Sequence, residues 1–152
     1  MRTFEAGDVE RVVLDLRLNG GGDNTTFGPL IQAIQESPDL NRRGKLYALI
    51  SRHTFSAAGN FITVLQRDTE AILVGQPTGG APNQYGDARM LTLPHVPWLR
   101  VSIATRYHVF GIDGDERVTH EPELMVPLTA ADYFSRSDRV LETALNDRPD
   151  AR

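Results

Sequence analysis

Ser56 stands where acyl chemistry is easiest to place. It follows Ser51-Arg52-His53-Thr54-Phe55 and precedes Ala57-Ala58, at a point where a strand pattern gives way to a helical one. At a helix N-terminus the macrodipole and the unpaired N–H groups favour negative charge developing on a serine oxygen and on a nearby carbonyl oxygen. A second feature, Asn19-Gly20-Gly21-Gly22, ends an earlier strand with backbone that carries no side chains and can turn its amides toward an anion. The competing reading is structural: Thr54 or Ser56 is an ordinary helix N-cap, and on the residues alone that reading is the stronger.

Other chemistry finds less support. His53, His95, His108 and His120 never stand four apart and cysteine is absent, so no zinc site is expected. Asp113-Gly114-Asp115-Glu116 begins like a calcium loop, but Val118 and Leu124 occupy the places where glycine and glutamate are needed. A solvated acidic turn fits better. The glycine run is not followed by Gly-Lys-Ser/Thr and does not match GxGxxG, so it is a poor phosphate cradle. Asn24-Thr25-Thr26 matches the glycosylation sequon, a pattern short enough to arise by chance.

The elements that must hold these residues follow from periodicity. Val12, Val13, Leu14 and Leu16 form an aliphatic run that reads as a buried parallel strand. Phe27, Leu30, Ile31 and Ile34 recur at i, i+3, i+4, i+7 and predict a helix, with Asp23, Asn24 or Thr25 near its N-cap. Leu46 to Ile50 is the next strand, Ser56 to Asp68 a helix with Phe61, Val64 and Leu65 inward, and Ala71 to Val74 a third strand. Strand, helix, strand, helix, strand predicts an α/β fold with a mainly parallel sheet and crossover helices. Gln76 to Asp87 reads as a long loop near a site. Two strands, Met90 to Leu93 and Leu99 to Tyr107, flank the turn Pro94-His95-Val96-Pro97, and an acidic loop spans Gly111 to Glu123. A helical turn at Thr129 to Phe134 precedes a last helix at Asp138 to Asn146 with Val140, Leu141, Ala144 and Leu145 on one face. Residues 147–152 read as a polar, frayed tail.

The 152 residues are 40% hydrophobic and 24% charged, with 16 basic against 20 acidic side chains. That is one domain with enough chain for a core. The acidic excess argues against a nucleic-acid partner, whose binders are basic. No apolar run reaches the ~20 residues of a membrane span, and the start of the chain shows no signal peptide.

Three blocks then carry a resemblance. Val13-Leu14-Asp15-Leu16-Arg17-Leu18-Asn19-Gly20-Gly21-Gly22, Thr54-Phe55-Ser56-Ala57-Ala58 and Val74-Gly75-Gln76-Pro77-Thr78-Gly79-Gly80 resemble successive blocks of the tail-specific, or C-terminal processing, serine peptidases. Glu121-Pro122-Glu123-Leu124-Met125-Val126 is similar to a later segment of that family, with glutamate for its aspartate, and Ser137-Asp138-Arg139-Val140-Leu141 to its closing helix. The resemblance implies a ββα superhelix of the crotonase/Clp protease kind. It implies Ser56 as nucleophile, the amides of Ala57 and of Gly21 or Gly22 as oxyanion hole, Thr78, Gly79 and Gly80 along the substrate, and a peptide or protein as partner, with no cofactor or metal. Where the tail-specific branch carries its lysine base this chain has Ala81. The tricorn-core-like branch uses a histidine from an earlier segment, with no counterpart here, and a glutamate for which Glu116 is the nearest match. Gly59 stands where many relatives have glutamate.

Residues 1–146 therefore resemble the C-terminal lobe of a peptidase domain that is incomplete without an N-terminal segment of the same protein. Within the chain, His108 or His120 could serve as base from the later loops, while His53 reads as a local loop residue. A non-catalytic binding module on the same fold is the alternative, as in the retinoid-binding relatives. An acyl-CoA enzyme of the wider crotonase-like fold is a third, and it would not need Ser56. Family members are often periplasmic or secreted, and the sequence does not fix a compartment.

Overall fold

The computed structural model describes residues 9–149. Strand β1 (Val12–Asp15), helix α1 (Gly28–Gln35), strand β2 (Leu46–Ile50), helix α2 (Ala57–Asp68) and strand β3 (Ile72–Gly75) follow one another as the alternation predicts. The three strands pair in parallel, Leu14 opposite Ala48 and Ala48 opposite Leu73. A fourth strand, β8 (Leu124–Met125), joins β3 in parallel and completes the order β1-β2-β3-β8. Its two residues give no alternation to read, so the periodicity missed it.

Cover on both faces explains the aliphatic runs. Leu46, Ala48 and Ile50 point to one face, where they pack with Ile31 and Ile34 of α1 and with Phe61, Ile62 and Leu65 of α2. Tyr47 and Leu49 point to the other face, against Val126 and, on the last helix, Val140, Leu141 and Ala144. That helix, α4 (Arg139–Asn146), is capped by Asp138, whose carboxylate accepts the Leu141 N–H at 3.1 Å. A short helix α3 (Ala130–Ser135) precedes it, closed by a capping box between Thr129 and Asp132.

Several expectations need correction. The N-cap of α1 is Phe27 and makes no side-chain cap, because Asp23 instead accepts from the Thr25 amide and hydroxyl and closes its own turn. Helix α2 buries more than one stripe: Ala57 through Thr63 and Leu65 are all inside, since α2 is covered on a second side by the segments after β3. Leu145 is exposed. Asp147 is not frayed, because its carboxylate accepts from the Tyr47 hydroxyl at 2.9 Å, and Pro149 lies on Gly44. The rest of the tail, 150–152, lies outside the described residues.

The segment after β3 is more ordered than a long loop. It contains β4 (Asn83–Gly86), followed by β5 (Arg89–Leu93), β6 (Val96–Ile103) and β7 (Arg106–Val109). The expected strand Leu99 to Tyr107 is two strands, and the turn is only Pro94-His95. Antiparallel β4 and β7 form a ribbon, and β5 and β6 form a hairpin beyond it. Asp87, with φ +52°, bends the chain between the two.

Candidate active site

Adjacent parallel strands deliver their following loops to one edge, the place where open α/β sheets put their sites. The loops after β1, β2 and β3 are tied into a stack there. Thr54, fully buried, is the hub. Its hydroxyl donates to the Leu16 carbonyl at 2.8 Å and accepts from the Ser51 N–H, and its carbonyl accepts from the Gly79 N–H at 3.0 Å. The Phe55 N–H donates to the Asn19 carbonyl at 3.2 Å, and the Ser51 hydroxyl to the Arg17 carbonyl at 2.6 Å. Gly79 is glycine for a plain reason: a Cβ there would collide with the Arg52 carbonyl.

This lattice presents Ser56 in an unusual backbone state. Ser56 has φ +54° and ψ −126°, sits at the N-cap position of α2, and uses its side chain for no cap hydrogen bond. A serine capping its own helix adopts extended backbone and bonds the N2 or N3 amide, so the N-cap reading does not describe this residue. A non-glycine residue in such a sparsely populated region costs about 1–3 kcal/mol, and such strain clusters at functional sites. A sharp strand-to-helix turn of this kind lifts a serine hydroxyl clear of the backbone around it. Ser56 is half-buried, and the first turn of α2 contains no acidic side chain to cancel the positive helix end.

Gly21 packs directly against this turn. A Cβ on it would lie 2.7 Å from Ser56 Cβ and 2.8 Å from the Ala57 nitrogen, and its φ of +105° is a glycine conformation. The Gly21 N–H donates to Asn19 Oδ1 at 3.0 Å. Among the described residues the N–H groups of Gly22 and Ala57 have no partner, so both are free to donate.

The other predicted residues fall into two groups. Thr78 is buried, its hydroxyl donating to the Gly80 carbonyl and accepting from the His120 N–H, while Gly79 is exposed beside Arg52. Glu116 is exposed on the 111–123 loop and lines neither of the cavities that flank Gly21. Among the described residues no hydrogen bond joins a histidine to Ser56. His120 is fully buried, with Nε2 3.2 Å from the Thr63 hydroxyl and Nδ1 3.1 Å from Gln66 Oε1. Burial, with a smaller contribution from Arg117, pushes its pKa down to about 4, and Asp115 opposes this only in part. His108 lies on β7, 3.3 Å from Asp87. His53 is exposed on the wall of the larger cavity.

Two features went unread in the sequence. Asn60, one turn after Ser56 and almost fully buried, donates to Asn24 Oδ1 at 2.8 Å and so ties the glycine loop to α2. The only signal available was its i+4 spacing from Ser56. Arg17 forms a fork to both Asp15 and Asp138, with N···O distances from 2.6 to 2.9 Å, and locks the end of β1 to the cap of α4. Hydrogen bonding to Arg17 holds both carboxyl groups below the usual range.

Residues 30–144 match the model of peptidase family S41. The chain belongs to that family. Among solved structures it is similar to a protein described as a peptidase from Parabacteroides merdae, with TM-score 0.59, 18% identity, and 90% of this chain against 51% of that one. It is also similar to an S41 protease from Bacteroides fragilis, with TM-score 0.55, 20% identity, and 88% of this chain against 41% of that one. At such identities the likeness shows the S41 fold. The chain spans about half the length of the first structure and less of the second.

Proposed function

We propose that this S41 chain carries the nucleophile and oxyanion hole of a serine peptidase, and that its general base comes from outside the described residues. The observation that carries the reading is the positive-φ backbone of Ser56 at the start of α2, pressed against Gly21. Ser56 Oγ attacks the scissile carbonyl carbon as the base removes the hydroxyl proton. The tetrahedral oxyanion accepts from the N–H groups of Ala57 and Gly22, with Gly21 held back by Asn19. The base returns the proton to the leaving amine, and water then hydrolyses the ester on Ser56 by the same steps in reverse. Gly79 and Gly80, with Thr78 behind them, border the bound peptide. Glu116 is assigned to orient the base, and residues 1–146 to the C-terminal lobe of the peptidase domain.

A serine without its base loses several orders of magnitude of rate. A serine-directed fluorophosphonate is therefore expected to label this chain slowly, and to label Ser56 readily in a protein of the length of its S41 relatives. Ser56→Ala abolishes both labelling and peptide hydrolysis there. Hydrolysis that survives Ser56→Ala refutes the reading. One observation favours the binding module as a second reading: a cavity of about 970 Å³ beside Gly21, with Ile50, Val126, Leu128 and Val140 in its wall. A ligand function untouched by Ser56→Ala would establish it.

A further inference from the structure

The β5–β6 hairpin packs chiefly on itself: among the described residues neither strand makes an extensive contact with a helix or with the parallel sheet. Its register makes one face aliphatic. Leu91 lies opposite Val101 and Arg89 opposite Ile103, and alternation along β5 adds Leu93, which pairs with Val96 beyond a break in register after Thr92. The other face carries Met90 opposite Ser102 and Thr92 opposite Arg100. Apart from Met90 on one face and Arg89 on the other, this alternation is that of a strand with one covered face, yet Leu91 is 48% exposed and Ile103 43%. A lone two-stranded hairpin is marginal in water, so this face is built to be covered.

Charge identifies the cover. Residues 88–112 hold three of the 16 basic side chains and none of the 20 acidic ones. Arg106 is engaged by Asp87, whereas Arg89 and Arg100 have no carboxylate partner among the described residues. The loop that follows β7 is the complement. It exposes Ile112 and Val118, and its carboxylates Asp113 and Glu121 are exposed with no ion pair among the described residues. One segment is basic and aliphatic, the next acidic and aliphatic; Asp115 pairs with Arg117 and Glu123 with Arg43, which leaves Arg89 and Arg100 on the first and Asp113 and Glu121 on the second without an ion pair among the described residues.

We propose that two copies of this chain associate by reciprocal exchange, the aliphatic face of each β5–β6 hairpin seated on the 111–123 loop of the other, with Arg89 against the acidic side chains there. Two identical contacts related by a two-fold axis close the assembly at a dimer. The hairpin is separate from Ser56 and its loops, the 111–123 loop carries Glu116 of the proposed site, and the inference stands whether or not Ser56 is a nucleophile.

Sedimentation equilibrium of the 152-residue chain at micromolar concentration is expected to show a dimer that weakens as salt is raised. Leu91→Lys with Val101→Lys gives a monomer, while Met90→Lys with Ser102→Lys, on the opposite face, leaves the dimer intact. Thermal unfolding of each double variant shows that the body still folds. Arg89→Glu alone and Asp113→Lys alone each weaken the dimer by about tenfold, since each disrupts two surface contacts. Mixing these two variants restores association, because both contacts in the mixed pair again join opposite charges. A chain monomeric at all concentrations overturns the proposal, as does a dimer indifferent to which face carries lysine. Binding to vesicles containing phosphatidylserine by a monomeric chain also overturns it and assigns the hairpin to a lipid surface.

Discussion

The parallel sheet and the β5–β6 hairpin use similar residues under opposite conditions. Every residue of β2 is buried, and its backbone is paired on both sides. In β5 every residue is exposed and only one side is paired. The sheet lies between two helical layers, so its loops are fixed to within hydrogen-bond distances, and the strained Ser56 can be held without relaxing. Nothing comparable holds the hairpin. The strained backbone of Ser56 is held beside a sheet whose cover is complete, and the exposed apolar face lies where cover is missing.

The comparison breaks most visibly at Gly75. It ends β3 with φ +126°, and a Cβ there would run into the Ile50 carbonyl oxygen on the neighbouring strand. Both partners are backbone in the middle of the sheet, so neither can move cheaply. Gly75→Ala is expected to cost about 4 kcal/mol, from strain and from the clash together. Urea unfolding measures this directly, and a loss below about 1 kcal/mol would mean that the sheet is as yielding as the hairpin.

His120 sharpens the comparison through pH. Its pKa is pushed down to about 4 in the folded chain, against about 6.5 when unfolded. Between these values the unfolded chain binds a proton that the folded chain refuses. Stability therefore falls as pH drops from about 6.5 to about 4, and is fully present above that window. The difference amounts to about 3 kcal/mol. His120→Gln, which can keep a contact to Thr63 or Gln66, is expected to be flatter across that window, as read from urea midpoints at its two ends. Parallel pH curves for the two proteins would show that His120 is not held neutral.

Legibility in the sequence follows the same division. The strands β1, β2 and β3 and the helices α1, α2 and α4 announce themselves because burial writes a period into the chain. Strand β4, Asn83-Gln84-Tyr85-Gly86, has no such period and is fixed by its pairing with β7, 20 or more residues away. His120 was unreadable for a related reason. Its neighbours in sequence are polar, and what buries it comes from Thr63, Gln66 and Thr78. At the site, the residue types of Ser56 and the glycine loop were readable. The backbone angle of Ser56, and the Asn19 bond that leaves Gly22 rather than Gly21 free, are products of packing between loops.

The smallest expected effect belongs to Trp98. In the core of a domain, truncating a tryptophan costs about 3–5 kcal/mol, but Trp98 is 81% exposed near the hairpin tip and does not belong to either apolar cluster of the body. No extensive contact joins the hairpin to the sheet among the described residues, so its loss of apolar surface has little to subtract from global unfolding. Trp98→Ser is expected to change the unfolding free energy of dilute, unassociated chain by less than about 0.5 kcal/mol. Amide hydrogen exchange supplies the matching readout. Hairpin amides exchange through local opening at rates insensitive to Gly75→Ala, whereas β2 amides exchange only through global unfolding and speed up with that variant. If Trp98→Ser instead lowers stability by several kcal/mol in dilute solution, the hairpin is coupled to the sheet, and the division between a covered body and an uncovered arm is wrong.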